Sequence, residues 1–298
     1  MLSFFQRQVW DRAWLLLLLT TILWGGNGVA SKLAVGRISP MSLVFMRWLF
    51  VCVLLFVLLR RQIEANGDTL RKHWRYLFAM SVIGFTAFTV CFYYAAYWTT
   101  AVNMTLLQPA IPTFVLIGAA LSGRERITTM QVVGLLVTLS GVLIIATQGD
   151  PLHLLQMRFN FGDILIIIAC VFYAGYTLGL RDRPPLPPLI FFTALSFGAF
   201  LTSIPFMAAE VTLGGFFWPS LAGLAILAFV AIGPSLTSQL LYMRGVELMG
   251  PSRAGLFTNL TPLFGALFAV LIVGEQFHPY HAVAVTLAFG GIWLGERR

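Results

Sequence analysis

Read along its length, the chain is a succession of apolar runs separated by short polar or charged breaks. About 20 apolar helical residues span the hydrocarbon layer of a bilayer. On that measure the breaks define ten spans, near 12–33, 40–59, 74–96, 100–121, 128–147, 161–180, 187–208, 218–243, 251–273 and 279–295. The pattern predicts an all-α integral membrane protein of ten transmembrane helices, with connections too short to hold a soluble domain.

The polar and turn residues within these runs recur. Pro112, Glu125 and Gly141 are answered without a gap by Pro262, Glu275 and Gly291, an offset of 150 residues. Upstream, Trp24-Gly25-Gly26-Asn27 in the first span answers Tyr173-Ala174-Gly175-Tyr176 at an offset of 149. Residues 1–149 and 150–298 therefore read as two five-helix repeats. An odd number of spans makes the second copy enter the membrane from the opposite side, so the repeats have inverted topology. Inverted repeats packed about a pseudo-two-fold axis in the membrane plane can open to one side or the other, the basis of alternating access. The pattern favours a transporter.

Composition agrees: 59% of residues are hydrophobic and 10% charged, against about 25% charged in a soluble domain. The net charge of +8 suggests nucleic acid until its distribution is considered. With the amino terminus placed in the cytoplasm, fifteen of the nineteen basic residues fall on or near the cytoplasmic face. Lys32, Arg37 and Arg158 fall opposite, and Arg47 lies within a span. This is the positive-inside asymmetry of a cell-membrane protein with both termini cytoplasmic, not a nucleic-acid footprint. The first run imitates a signal peptide, with Arg12, Leu15–Leu19 and Val29-Ala30-Ser31. It is read as a retained span because the sixth needs it as a repeat partner. Cys52, Cys91 and Cys170 lie in apolar runs without metal-like spacing and read as small buried hydrophobes.

The order of these landmarks resembles the EamA-type modules of the drug/metabolite transporter superfamily over nearly the whole chain. The residues that carry the likeness are Trp24-Gly25, Pro40 with Arg47, Pro109, Pro112 and Glu125 in the first half. In the second they are Arg244-Gly245 through Gly250-Pro251, then Pro262 and Gly274-Glu275. The first half departs from the usual Gly-Glu ending, reading Gly123-Arg124-Glu125. The resemblance implies small-metabolite transport, often export, through ten helices. Within the superfamily the chain is similar to the YddG-type exporters of aromatic amino acids.

Interrupted helices at matching positions of two repeats point to a binding site. Pro109 and Pro112 interrupt the fourth span and Pro262 the ninth, where Asn259 stands opposite Pro109, and Gly84 in the third is matched by Pro234 in the eighth. Ser235, Ser238, Gln239 and Tyr242 form one face of the eighth helix, answered on the third by Phe85, Phe88, Thr89 and Phe92. Tyr94 continues the aromatic run; Trp24 and Asn27 on the first helix match Tyr173 and Tyr176 on the sixth. Such a lining suits a ligand with a polar end and an apolar or aromatic body. Asn27, Asn103, Gln108, Gln239 and Asn259 serve equally well as bonds between helices. Arg47 either attracts a carboxylate or snorkels its guanidinium to the outer surface, and is read as a structural charge near the cavity rim. Glu125 and Glu275, at equivalent helix ends, suggest gate or hinge pairing.

No Asp, Glu or His lies near the middle of any predicted span. Proton-driven carriers use such a group as a relay, so a facilitator or exchanger is expected. A membrane enzyme would need clustered carboxylates, His or a nucleophile beside a base. His73, His153, His278 and His281 are scattered, and no phosphate-binding loop occurs. A channel would draw its selectivity from rings of like subunits. Neither catalytic residues nor a cofactor or metal is expected. The expected partners are a small-molecule substrate and the lipid bilayer, and the chain is expected to act as a monomer. The cargo is read as an aromatic or neutral amino acid or, alternatively, another metabolite or amphipathic drug.

Overall fold

The computed structural model describes residues 11–34, 36–95, 98, 107–108, 110–123, 127–147, 149–150, 152, 160–268, 271–272 and 279–296. Its helices are α1 (Ala13–Ala34), α2 (Pro40–Ala65), α3 (Gly67–Lys72), α4 (Trp74–Ser81), α5 (Phe88–Ala95), α6 (Ala110–Leu121) and α7 (Thr129–Ala146). The second half holds α8 (Phe161–Gly179), α9 (Pro188–Thr212), α10 (Leu221–Val230), α11 (Ser238–Met249), α12 (Pro251–Phe257), α13 (Thr261–Phe268) and α14 (Pro279–Glu296). Among the described residues no strand occurs.

Five helical stretches are long and apolar enough to cross a membrane: Pro40–Ala65, Trp74–Phe92, Phe161–Asp182, Pro188–Thr212 and Leu221–Met249. Four shorter apolar ones accompany them, Ala13–Asn27, Ala110–Leu121, Thr129–Gly141 and Ala282–Gly295. Where the pattern predicts one continuous ninth span, α12 and α13 are joined by a single 3-10 turn, Thr258–Leu260. Pro112 and Pro262 stand in the first turns of α6 and α13. A proline there removes an N–H that has no helical partner in any case, so it starts a helix rather than breaking one. The second helix runs a turn and a half past its predicted end, to Ala65.

Helix starts are fixed by local chemistry. α8 opens with a capping box: Asp163 N–H donates to Asn160 Oδ1 (3.2 Å) and Asn160 N–H to Asp163 Oδ2 (2.9 Å). In α10 the Gly223 N–H donates to Ser220 Oγ at 3.1 Å. The start of α2 has no cap from its own Ser39. Instead Glu210, in the last turn of α9, accepts from the Met41 and Ser42 N–H groups at 2.9 and 3.0 Å. Ser42 Oγ also donates to it at 3.2 Å.

Helix contacts come in pairs that the repeat offset exchanges. α1 packs on α11 and α13, and its counterpart α8 packs on α5 and α6. α2 packs on its own counterpart α9, and α7 on its counterpart α14. Both self-pairings are antiparallel. Along α2 and α9, Met41 meets Glu210, Phe45 meets Phe200 and Trp48 meets Phe192. Along α7 and α14, Gly134 lies on Gly291 and Gly295, and Gly141 on Ala284 and Ala288. A methyl group on Gly141 would lie 2.7 Å from the Ala284 carbonyl oxygen, so the two backbones touch.

The main core cluster runs from Leu17 through Trp48, Phe85 and Tyr176 to Ile292, and a smaller one gathers Ala34, Ile38 and Leu43. Outside it, large apolar side chains stand exposed on most helices, among them Phe56, Val57, Leu136, Phe197 and Trp293. Water tolerates no such surface on a monomer of this size, whereas hydrocarbon does.

Candidate functional site

Two π-helical turns interrupt the helices nearest the centre, Val82–Ala87 between α4 and α5 and Ala231–Thr237 between α10 and α11. They occupy equivalent places in the two halves, around Gly84 and Pro234. Single π turns cluster at functional sites because the extra residue re-aims the side chains of the next helical turn. Pro234 has no N–H to give the Val230 carbonyl four residues back, and the π turn passes that carbonyl to Ser235, five residues on. Ser235 Oγ also donates to it at 2.8 Å. Thr237 Oγ1 bonds Ile232 O, and Ser238 Oγ bonds Pro234 O. In the first half the turn is held from outside: Thr86 Oγ1 lies 2.6 Å from Thr202 Oγ1, whose own proton goes to Gly198 O. At Gly84 a Cβ would sit 2.6 Å from Tyr176 Cγ, so glycine lets α8 approach.

Between these turns lies an aromatic cluster built from both halves. The Trp24 ring of α1 is 5.8 Å from Tyr173 of α8 and 5.2 Å from Tyr242 of α11. Tyr173 and Tyr242 are 5.9 Å apart, and Phe88 of α5 stands 5.2 Å from Tyr173. Its polar edges are largely arranged. Thr177 Oγ1 donates to the Tyr173 carbonyl, so at 3.0 Å it receives the Tyr242 hydroxyl proton. Gln239 Nε2 donates to Tyr173 Oη at 3.4 Å. Gln239 Oε1 and Tyr176 Oη are buried without a hydrogen-bond partner among the described residues. Trp24 is half-buried, whereas the three tyrosines are buried, so the cluster is open on the Trp24 side.

Of the residues expected to line a site, the structure thus brings together Trp24, Phe88, Tyr173, Tyr176, Gln239 and Tyr242. Phe85 adjoins them through Tyr176 at 5.3 Å but packs mainly with Trp48 and Phe192. Thr89 Oγ1 is turned back to Phe85 O at 2.6 Å, and Ser235 is engaged in the π turn. Asn27 is half-buried on α1, one turn beyond Trp24. Asn259 is wholly buried elsewhere, donating to Thr138 Oγ1 of α7 at 2.8 Å. Gln108 is half-buried just before α6. The Tyr94 side chain, Asn103, Pro109, Glu125 and Glu275 lie outside the described residues. Arg47 corrects one alternative: it does not snorkel to a surface but is 6% exposed, its Cζ 5.2 Å over the Trp48 ring.

Two polar arrangements escape a reading by spans. One is the Glu210 clamp on α2. The other is an ionic chain in which Arg183 meets Glu247 at 2.9 Å, and Arg244 meets Glu247 at 3.1 Å and Asp11 at 2.9 Å. It ties the end of α11 to the segment before α1 and to the α8–α9 connection. Glu247, three residues after Arg244, was the available signal; Asp11 and Arg183 lie far from both in the chain. Among the described residues no group of three His, Cys, Asp or Glu side chains is placed to hold a metal ion.

The sequence profile of the EamA-like transporter family matches residues 12–147 and again 160–295. The chain belongs to the EamA-like transporter family. Its EamA-like relatives include the "Uncharacterized inner membrane transporter YicL" of Salmonella typhimurium, 29% identical over 272 residues, 87% of each chain. The "Uncharacterized transporter YetK" of Bacillus subtilis is 25% identical over 91% of this chain and 82% of its own. An "Uncharacterized transporter" of Archaeoglobus fulgidus is 24% identical over 94% and 96%. A solved crystal structure shares the fold, with a TM-score of 0.79 and 16% identity over 95% of this chain and 96% of that one. The EamA-like transporter described here is therefore a multi-pass membrane protein with a transporter rather than an enzymatic role.

Proposed function

We propose that this protein carries small amphipathic metabolites across the cell membrane by alternating access, and that its cargo is an aromatic or neutral amino acid, exported or exchanged down its gradient. The observation that carries the reading is the aromatic and polar cluster of Trp24, Tyr173, Tyr242 and Gln239, assembled where helices of the two halves meet. Ring faces suit an apolar or aromatic body, and the buried amide and hydroxyls suit a polar end. Antiparallel equivalents, α2 with α9 and α7 with α14, supply two halves able to rock about that cluster. Ten spans, cytoplasmic termini and action as a monomer complete the proposal. With no Asp, Glu or His near the middle of any predicted span to relay protons, the carrier is a facilitator or exchanger.

The test is counterflow of labelled phenylalanine, tryptophan and threonine in vesicles holding the purified protein. Saturable counterflow favouring the aromatic pair is expected. Equal or absent preference would remove the amino-acid reading and leave a carrier of another amphipathic metabolite. Unsaturable flux would indicate a channel, and a strict need for a pH gradient would indicate proton coupling.

A further inference from the structure

Asp11, Arg183, Arg244 and Glu247 join the ends of the three helices that carry Trp24, Tyr173 and Tyr242. We propose that these four charges are a latch that holds the carrier shut toward the cytoplasm. The inference rests on the carrier reading and topology above, and names contacts that such a carrier must break.

The latch is continuous across three elements. Glu247, on α11, meets Arg183 at 2.9 Å and Arg244 at 3.1 Å, and Arg244 meets Asp11 at 2.9 Å. Arg183 follows α8 and Asp11 precedes α1. A path from the cluster to this end parts α11 from α1 or from α8, and either movement breaks at least one pair. Tyr76 Oη of α4 adds a neutral tie, donating to Gly179 O at the end of α8 at 2.7 Å.

Between the latch and the cluster the packing is closed. Leu16, Leu17, Thr20, Thr177 and Val246 are buried. Thr20 Oγ1 lies 3.2 Å from Ser238 O, and a Cβ on Gly245 would fall 2.6 Å from Leu17 Cγ. Beyond the cluster, Trp24, Asn27, Phe88 and Phe92 are only half-buried.

The repeat shows that the latch serves one end alone. The offset of 149 or 150 residues that exchanges the halves also exchanges the two ends of the bundle. Asp11 then falls on Asn160, Arg183 on Ala34, Arg244 on Tyr94 and Glu247 on Tyr97, none of them charged. The Arg183 and Arg244 side chains are 18% and 22% exposed, so without Glu247 two poorly hydrated cations would stand together. Asp11 is 64% exposed and contributes less.

The test uses the full-length protein in vesicles of known sidedness. Val246→Cys places a reporter one turn beyond Tyr242 toward the latch, with Cys52, Cys91 and Cys170 changed to alanine. A membrane-impermeant maleimide added at the cytoplasmic face should label it slowly. Glu247→Gln should raise that rate about tenfold and Asp11→Asn about twofold. Glu247→Asp should restore most of the protection. Arg60→Ala, a charge at the same face outside the latch, should change nothing. Amide hydrogen exchange over residues 242–249 makes the comparison without cysteines, and Glu247→Gln should speed it.

Unchanged labelling and exchange in Glu247→Gln would overturn the latch. An equal rise in labelling from both faces with a lower melting temperature would overturn it too, leaving a purely structural tie. A rise from the opposite face alone would keep the latch and overturn the cytoplasmic placement of the termini. Faster labelling without counterflow of labelled phenylalanine, tryptophan or threonine would keep the latch and remove the amino-acid cargo.

Discussion

The seam between α7 and α14 and the seam where α1 meets α8 and α11 obey opposite rules. In the first, the residues in contact are exchanged by the repeat offset: Gly134 on Gly291 becomes Ala284 on Gly141. In the second the offset pairs unlike residues: Trp24 with Tyr173, Thr89 with Gln239, and Phe92 with Tyr242. Where two copies of one helix must lie backbone to backbone, both are confined to small residues, and the repeat stays legible. Where side chains instead of backbones fill the seam, as Trp24, Tyr173 and Tyr242 do, no such close approach confines both copies and they diverge.

Substitutions can break that contrast or sharpen it. The largest effect is expected from Gly134→Val, whose new atoms would meet the Gly291 and Gly295 backbones, 2.7 Å from Gly295 N. Backbones cannot step aside, so a loss of about 3 kcal/mol is expected, read as a fall in melting temperature in detergent. Unchanged melting would mean that the seam is looser than drawn. Next comes Gly84→Ala, which drives a methyl group into Tyr176 and should cost about 2 kcal/mol. Combining it with Tyr176→Leu should recover part of the loss; strict additivity would deny the contact.

Tyr242→Phe removes the hydroxyl held by Thr177 and should lower stability by about 1 kcal/mol. Its effect on counterflow should exceed its effect on melting, because the residue belongs to the divergent seam. Smallest is Arg60→Ala. Its pair with Glu64 is 70% and 65% exposed, and less than about 0.5 kcal/mol should be lost. A larger change would show that this helix end does more than face solvent.

Much of the fold was legible because helix length in a bilayer is set by apolar content. α1, α7, α8 and α14 begin and end within a residue or two of the apolar runs. The members of the cluster, Trp24, Phe88, Tyr173, Tyr176, Gln239 and Tyr242, all stand among the positions that aligning the halves singles out. Less legible were features that depend on where a side chain points after folding. Ser235 has the spacing of a lining residue, yet its hydroxyl turns back to the Val230 carbonyl within the π turn. Asn259 matched Pro109 by offset, but it turns toward Thr138 instead of the cluster. Glu210 stood just beyond the predicted end of its span; only the longer α9 brings it to the bare N–H groups of α2. Arg183 and Arg244 counted as topology, whereas their partners Asp11 and Glu247 come from distant parts of the chain.

The paired π turns carry a consequence for how such a protein changes over time. At 3.6 residues per turn, each residue advances a helix by about 100°. A π turn takes up one extra residue, worth that angle, without turning the helix beyond it. Losing one residue from Ala231–Thr237 would therefore return that stretch to ordinary α-helix and leave α10 and α11 in nearly the same rotational register. Gln239 and Tyr242 would keep facing Trp24, and only the side chains within the turn would be re-aimed. A single-codon deletion there would thus rewrite one turn of one wall while sparing the helix that follows it.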